Sequence, residues 1–560
     1  MRDPSVLERF LPISGWLRSY QPDWLKADVL AGLTVWALVV PEAMAYAGIA
    51  GVPVEYGLYA VPLAVVAYAV FGTSRRLFVG PSSTIAALSA STVAPVVASG
   101  GTAEDYVALT AGLALMVGVL YVLMGLARMG VVARFFAKPV LDGFVVGLGI
   151  YIAIGQLPKL VGIEKADGNA LQEFIGWVTD ISEWDRPSVL VGVLSLAVLV
   201  AMERVLPRVP AALVVVVASI IAAQALDLGA EGVALVGEVP TGFHFAPWSG
   251  VSIEQLIDML PGALAIIVVG FAESLAVAKT YAAKHRETID ANQEMVAYGA
   301  ANLGAGLLQG YSVSGSLSKS AAAEAAGAKT PLLMGVVSGA VLVTIVILAG
   351  VFEWLPEPTL AAIIIVAVAG MIDPAELKRL WDARAIDFAL ALGALLGVLV
   401  LDILGGVVVG VVLSLMLLIH RLDNPHVAIL GTDQDATTYR DLAENPEYNA
   451  VPGVLIYRFD APLIFTNADF FKDDITQRVR TADPPYGRVI LDLEAVYEID
   501  TTGLDALLQI KDLLDTDSIT LDLARVKTDL RGMFDRMQAT DRLGPEHLHA
   551  TIRDAITAAT

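Results

Sequence analysis

Apolar residues fill about the first three quarters of the chain in runs of roughly twenty, the length a helix needs to cross about 30 Å of hydrocarbon. The runs begin near Val29, Tyr56, Ser82, Tyr106, Leu141, Ser188, Ala211, Leu260, Met295, Ser316, Leu332, Thr359, Asp387 and Gly405, which predicts 14 spans. The polar connections alternate in basic content. Even-numbered ones carry Arg75/Arg76, Arg128/Arg134/Lys138, Arg204/Arg208, Lys284/Arg286, Lys329 and Lys378/Arg379/Arg384. The odd ones are nearly free of Lys and Arg, except Lys159–Pro187, where acidic residues outnumber basic ones. Basic loops stay on the cytoplasmic side. Both termini are therefore expected in the cytoplasm, with the chain multi-pass in the cell inner (plasma) membrane.

Beyond Arg421 the pattern changes. Residues 422–452 are polar and turn-rich and read as a linker. From Gly453, the β-branched runs "GVLIYRFD", "RVILDLEAV" and "SITLDLARV" alternate with the amphipathic segments "DTTGLDALLQIKDLL" and "KTDLRGMFDRMQA". That alternation predicts a small α/β domain over 453–560. The remaining divisions are a cytoplasmic N-terminal segment, 1–27, and a transmembrane domain, 28–421.

Composition narrows the class. The 560 residues are 56% hydrophobic and only 17% charged, against about 25% charged in soluble domains. No cysteine is present, so no disulfide, thiolate metal site or cysteine nucleophile is expected. A formal charge of −22 argues against nucleic acid as a partner. Ser316-Leu317-Ser318-Lys319 fits the S-x-x-K pattern of penicillin-binding enzymes, but the accompanying S-D-N and K-T-G are missing. No H-E-x-x-H or phosphate-binding loop occurs either. The expectation is no enzyme activity, no cofactor and no metal.

Two apolar runs open abnormally. "GPSSTIAALSAS" (Gly80–Ser91) begins with Gly-Pro and hydroxyls, and "SVSGSLSKSAAAEAAG" (Ser312–Gly327) is hydroxyl-rich with a lysine. Pro81 suits a first helical turn, where its missing N–H would be unpaired anyway. From Ser316 to Lys329 is about 13 residues, or roughly 20 Å of helix, too short to cross. Both segments therefore read as half-helices starting near mid-membrane, the third spans of two seven-span halves of opposite topology. Paired interrupted spans in an inverted repeat point to the substrate site. Two helix N-termini there present unpaired N–H groups and positive dipole ends, which favour an anion. Ser82, Ser83, Ser316 and Ser318 can add hydroxyl donors. Lys319 adds a cation whose membrane burial costs about 2.5–3.5 kcal/mol, a cost that a bound anion offsets.

The tail resembles a STAS domain through "LDLEAVYEIDTTGLDALL". In soluble relatives the residue after the motif's Asp is phosphorylated, which makes Thr501 a candidate regulatory site; the alternative is a helix N-cap at Asp500 or Thr501. The membrane part resembles the SulP sulfate-permease-type anion transporters (solute carrier family 26). The resemblance is carried by "DVLAGLTVWALVVPEAMAYAGIAGVPVEYGLYA", "RRLFVGPSS", "ESLAVAKTYAAKHRETIDANQEMVAYGAANLGAG" and "VSGSLSKSA". It implies a seven-plus-seven inverted repeat with a core moving against a gate, and a homodimer with cytoplasmic STAS domains. It also implies an anion held between the third and tenth spans by Glu42, Tyr46, Ser82, Ser83, Ser318 and Lys319. The chain departs from the family where Glu42 replaces a common Gln and Lys319 a common Arg.

Pro41 is expected to break the first span, so that Glu42 faces the half-helices. Burial and an arriving anion both favour a protonated carboxyl there, which predicts H⁺-coupled symport; the alternative is permanent pairing of Glu42 with Lys319. Glu273 is a second candidate for proton or cation coupling, or an ion-pair partner of Lys319 or Lys279. The expected function is secondary active transport of a small anion of the sulfate, bicarbonate or dicarboxylate class. An anion channel or exchanger, a nucleobase-type symporter and a STAS-signalling sensor are the competing readings. Expected partners are the anion, H⁺ (or Na⁺), membrane lipid, a second copy of the chain, and a cytoplasmic regulator of the STAS domain.

Overall fold

The structure, a computed structural model, describes residues 11–98, 102–131, 137–166, 168–206, 209–247, 251–433 and 438–558. Arg134 and Arg208, used above to orient the loops, lie outside the described residues. Two compact units divide the chain, Met1–Ser414 and Leu415–Thr560.

Among the described residues, the regular elements of the first unit are helices and two three-residue strands. Among the described residues, 9 helices are long and apolar enough to cross a membrane, and Ser83–Val97 and Ala211–Leu226 are shorter apolar helices. Every predicted run start lies inside a helix or at its N-cap. One expectation fails: Leu25–Ala50 is a single helix that runs through Pro41. Membrane helices tolerate proline where neighbours satisfy the freed backbone, and Pro41 is buried among such neighbours.

Helices in this unit pack as two groups. Leu25–Ala50 lies on Leu332–Val343, and Ala291–Leu307 lies on both Ala103–Leu126 and Pro62–Phe71. In the second group, Glu357–Ala369 packs on Lys138–Val161 and on Arg186–Val205, which also carries Ala211–Leu226. Small residues set the closest approach. A Cβ on Gly299 would stand 2.8 Å from the Gly118 carbonyl oxygen, and one on Gly118 would stand 3.0 Å from that of Gly299. The last helical stretch, Ala385–Asp423, turns back at Asp402 (φ 80°). Gly397 consequently faces Val409 and Gly393 faces Leu413, and the Asp402 carboxylate accepts the Ile403 N–H at 2.7 Å.

The second unit holds a six-stranded sheet in the order β4-β3-β5-β6-β7-β8. The strands are β3 Val427–Thr432, β4 Tyr439–Asp441, β5 Val454–Phe459, β6 Arg488–Asp492, β7 Thr520–Ala524 and β8 Leu548–His549. β5 to β8 are parallel, while β3 is antiparallel to β4 and β5. Helices Ala468–Thr481 and Thr501–Thr516 help bury a core that includes Leu455, Phe471, Ile475, Leu491, Leu507 and Phe534. Here too the sequence reading needs correction. Residues 422–452 are not simply a linker, because β3 and β4 lie within them. β4 is the edge strand, and β3, paired on both sides, is a short apolar run, "VAILGT", set between the polar stretches "DNPH" and "DQDATTYRD".

Candidate functional site

The two interrupted segments meet as an antiparallel ribbon. β1 (Phe78–Gly80) pairs with β2 (Ser314–Ser316), matching Phe78 with Ser316 and Gly80 with Ser314. Extended backbone buried among apolar helices must find its hydrogen bonds within the protein. The ribbon supplies some, and buried side chains supply others. Ser274 Oγ accepts Gly315 N–H at 2.7 Å. Asn302 accepts Val313 N–H and donates to its carbonyl, both at 3.0 Å. Ser320 Oγ accepts Phe78 N–H at 2.8 Å and donates to the Ser316 carbonyl at 2.6 Å. Because the strands are antiparallel, the following helices, Ser83–Val97 and Leu317–Ala325, leave in opposite directions. The second helix is shorter than the predicted 13 residues, since a turn begins at Ala326.

Lys319 lies at this junction, only 2% exposed. Its ammonium is ion-paired with Glu42 Oε2, donates to the Pro81 carbonyl at 3.2 Å and stands 5.3 Å from the Tyr46 ring centroid. Tyr46 also donates to Glu42 Oε2 at 3.4 Å. One cation thus ties the start of one half-helix to the turn before the other and to the first span. The pairing of Glu42 with Lys319 is the arrangement present, and the unbroken helix still delivers Glu42 to it.

The serines divide by role. Ser82 is the N-cap residue of its half-helix, without a side-chain capping bond, and Ser83 Oγ contacts Met371 Sδ at 3.6 Å; both are buried. Ser318 is exposed and bonds Ser316 Oγ at 3.2 Å, and Ser316 caps the second half-helix through Lys319 N–H at 3.4 Å. Glu273 lies on helix Leu260–His285. Its Oε2 is buried without a hydrogen-bond partner, and among the described residues no ion pair joins it to Lys319 or Lys279.

Two cavities lie along the same helix pair, Leu25–Ala50 and Glu357–Ala369. One, of about 470 Å³, is lined by Thr34, Leu38 and Glu42 on the first and by Ile363, Val366 and Ala367 on the second. The other, of about 380 Å³, is lined by Met44, Ala45 and Gly48 and by Glu357, Leu360 and Ile364. Glu42 therefore faces the cavity toward the N-terminal half of the first helix, and none of the predicted site residues lines the other.

Two buried carboxylates that sequence reasoning did not single out hold the turns flanking the half-helices. Glu294 accepts Thr73 N–H (2.7 Å), Thr73 Oγ1–H (2.6 Å), Ser74 N–H (3.1 Å) and Tyr68 O–H (2.9 Å). Asp28 accepts Lys329 N–H (2.7 Å), Thr330 N–H (3.0 Å) and Thr330 Oγ1–H (2.7 Å). Arg76 joins the two turns by donating to the Ala328 carbonyl at 2.7 Å. Backbone turns rich in Thr and Ser beside a helix-end carboxylate were the available signal, but their partners are more than 200 residues away in sequence.

The chain resembles known proteins over most of its length. The model of the Sulfate permease family matches residues 25–394, and that of the STAS domain matches 445–555. The chain belongs to the sulfate permease family. A Mycobacterium tuberculosis protein named as a probable sulfate transporter is 34% identical, with 97% of this chain and 98% of that protein aligned. Sulfate transporter 4.1, chloroplastic, of Arabidopsis thaliana is 31% identical over 99% of this chain and 83% of its own length. The fold matches murine solute carrier 26 family member A9, an anion transporter in the inward-facing state, with a TM-score of 0.91 at 22% identity, covering 100% of this chain and 95% of that one. The transmembrane domain of the cyanobacterial bicarbonate transporter BicA gives 0.61 at 22% identity, covering 71% and 98%. The chain is accordingly a multi-pass membrane protein of an anion-transporter family, not an enzyme, and it carries a C-terminal STAS domain.

In the STAS domain, Asp500 rather than Thr501 caps helix Thr501–Thr516, accepting Gly503 N–H at 2.8 Å. It also accepts Phe465 N–H at 2.8 Å. Thr501 is the first helical residue and is exposed.

Proposed function

We propose that this permease-family protein is a secondary active transporter of a small anion of the sulfate, bicarbonate or dicarboxylate class, working by H⁺-coupled symport and alternating access. The observation that carries the proposal is the buried Lys319–Glu42 pair at the junction of the two half-helix starts. Helix N-termini and a lysine attract an anion. In its absence the lysine is neutralised by Glu42. An anion that engages Lys319 displaces that carboxylate, which must then be repelled or protonated. At an effective dielectric of about 20, two like charges 4 Å apart cost roughly 4 kcal/mol, so Glu42 takes up a proton as the anion binds. Proton and anion then move together. Tyr46 steadies Glu42, and Ser82, Ser83 and Ser318 supply hydroxyls around the anion. Glu273 is the reserve coupling site.

In this reading 14 spans form a seven-plus-seven inverted repeat with both termini cytoplasmic, in the cell inner membrane. The group containing Leu25–Ala50 and the half-helices moves against the group containing Glu357–Ala369. Two copies form a homodimer, and the STAS domain serves assembly or regulation, with Thr501 open to modification. The names of the related transporters make sulfate the first anion to test. In proteoliposomes, an inward proton gradient should accelerate uptake of labelled sulfate by the wild type and leave Glu42→Gln uptake unaffected. A mutant that responds as the wild type does would move coupling to Glu273. Voltage-clamp conductance without gradient-driven accumulation would make the protein a channel.

A further inference from the structure

The route between Glu42 and bulk water has a charge pattern that the binding site alone does not explain. The 470 Å³ cavity is enclosed by Leu25–Ala50 and the second half-helix on one side and by Arg186–Val205, the start of Ala211–Leu226 and Glu357–Ala369 on the other. Its described lining is otherwise apolar or small, apart from Thr34, and carries two charged groups, Glu42 and Glu203. Lys319 is absent from that lining, buried behind Glu42. Glu203 is exposed, and among the described residues it has no ion-pair partner. Its sequence neighbour Arg204 is not among the lining residues. The N-terminal half of the first helix, which this cavity follows, is the cytoplasmic half in the proposed topology.

Resting on the reading that the anion binds at Lys319, we infer that Glu203 sets release: its carboxylate makes the cytoplasmic vestibule repel anions and so keeps cytoplasmic affinity low. Low-dielectric walls concentrate the field of such a charge. A sphere of 470 Å³ is about 10 Å across. A unit charge at about 10 Å, with an effective dielectric of about 40–80, changes the occupancy of a monovalent anion about two- to fourfold. For a divalent anion the factor is squared, to about four- to sixteenfold. An anion delivered from outside thus leaves more readily than it rebinds, and the discrimination grows with anion charge.

The test uses the full chain in proteoliposomes of fixed orientation, with labelled sulfate and labelled bicarbonate applied from each side. Glu203→Gln should lower the half-saturating cytoplasmic concentration by the factors above, more for sulfate than for bicarbonate. The external value should stay unchanged, and the difference should shrink at high ionic strength. Glu203→Asp, which keeps the charge, should behave as the wild type. Unchanged cytoplasmic half-saturation in Glu203→Gln would overturn the inference, as would an equal shift on both sides or the same shift in Glu203→Asp. Lys319→Ala separates this from the underlying reading: wild-type anion affinity in that variant overturns the site itself. Lost affinity there, beside an unresponsive Glu203→Gln, overturns only the role of Glu203.

Discussion

Replacing Lys319 with alanine removes the cation from a buried pair and leaves Glu42 facing apolar walls. Breaking such a pair by deleting one partner costs about 3–5 kcal/mol, because the remaining charge is uncompensated. Removing both charges is far less damaging, since a well-packed neutral site can match a buried ion pair in stability. Glu42→Gln alone should fall between these. It strands Lys319, but the Pro81 carbonyl at 3.2 Å and the Tyr46 ring at 5.3 Å still hold the ammonium, and a cation–π contact contributes about 0.5–2 kcal/mol. The predicted stability order is wild type, then Glu42→Gln together with Lys319→Ala, then Glu42→Gln, with Lys319→Ala lowest. Intrinsic tryptophan fluorescence during thermal unfolding in detergent reports it. All 8 tryptophans precede the STAS domain, so the signal belongs to the membrane unit. A double variant less stable than Lys319→Ala alone, or a Lys319→Ala midpoint equal to wild type, would refute the coupling of these residues in one buried pair.

The other expectations concern topology, the turn-holding carboxylates and the STAS domain. A cysteine at exposed Glu104 should react with an impermeant thiol reagent from outside, and one at exposed Arg75 only after permeabilisation; reversed labelling overturns the orientation. Glu294→Gln should destabilise the membrane unit by about 1–3 kcal/mol through lost charged acceptors, read as a lowered unfolding midpoint. Asp500→Ala should destabilise the STAS domain by about 0.5–2 kcal/mol as a lost N-cap, visible as faster hydrogen exchange in Thr501–Thr516. Burial opposes the charge on Asp460, but its bonds to Arg458 (2.7 and 3.1 Å) and His426 (2.8 Å) outweigh it and hold its carboxyl below the usual carboxylate range. That contribution is present at neutral pH and is lost as pH falls below about 3.9 through the folded value, so Asp460→Asn should flatten the acid loss of protection in β5.

Helices were legible because a membrane span announces itself by length and hydropathy. The two helix starts after the ribbon were legible because Gly80-Pro81 and the Ser316–Lys319 run contradict their apolar surroundings. What the sequence hid was pairing over distance. Nothing local to Val79 indicates that it pairs with Gly315, and nothing near Glu294 points to Thr73. Pro41 misled for the opposite reason, because its local rule is overridden by the helices packed around it. β3 was lost because its six-residue apolar run, "VAILGT", is short and stands in polar, turn-rich surroundings. Glu203 sits beside Arg204 in the last turn of helix Arg186–Val205, and only the cavity places it on the route to Glu42.

The central claim is that an anion bound at Lys319, between the two half-helix starts, is carried across the membrane. Uptake of labelled sulfate, bicarbonate and a dicarboxylate into proteoliposomes under an inward proton gradient, compared among wild type, Lys319→Arg and Lys319→Ala, tests it most directly. Gradient-driven accumulation of at least one anion by the wild type, retained largely by Lys319→Arg and abolished in a folded Lys319→Ala, is the predicted result. Undiminished accumulation by Lys319→Ala would contradict it.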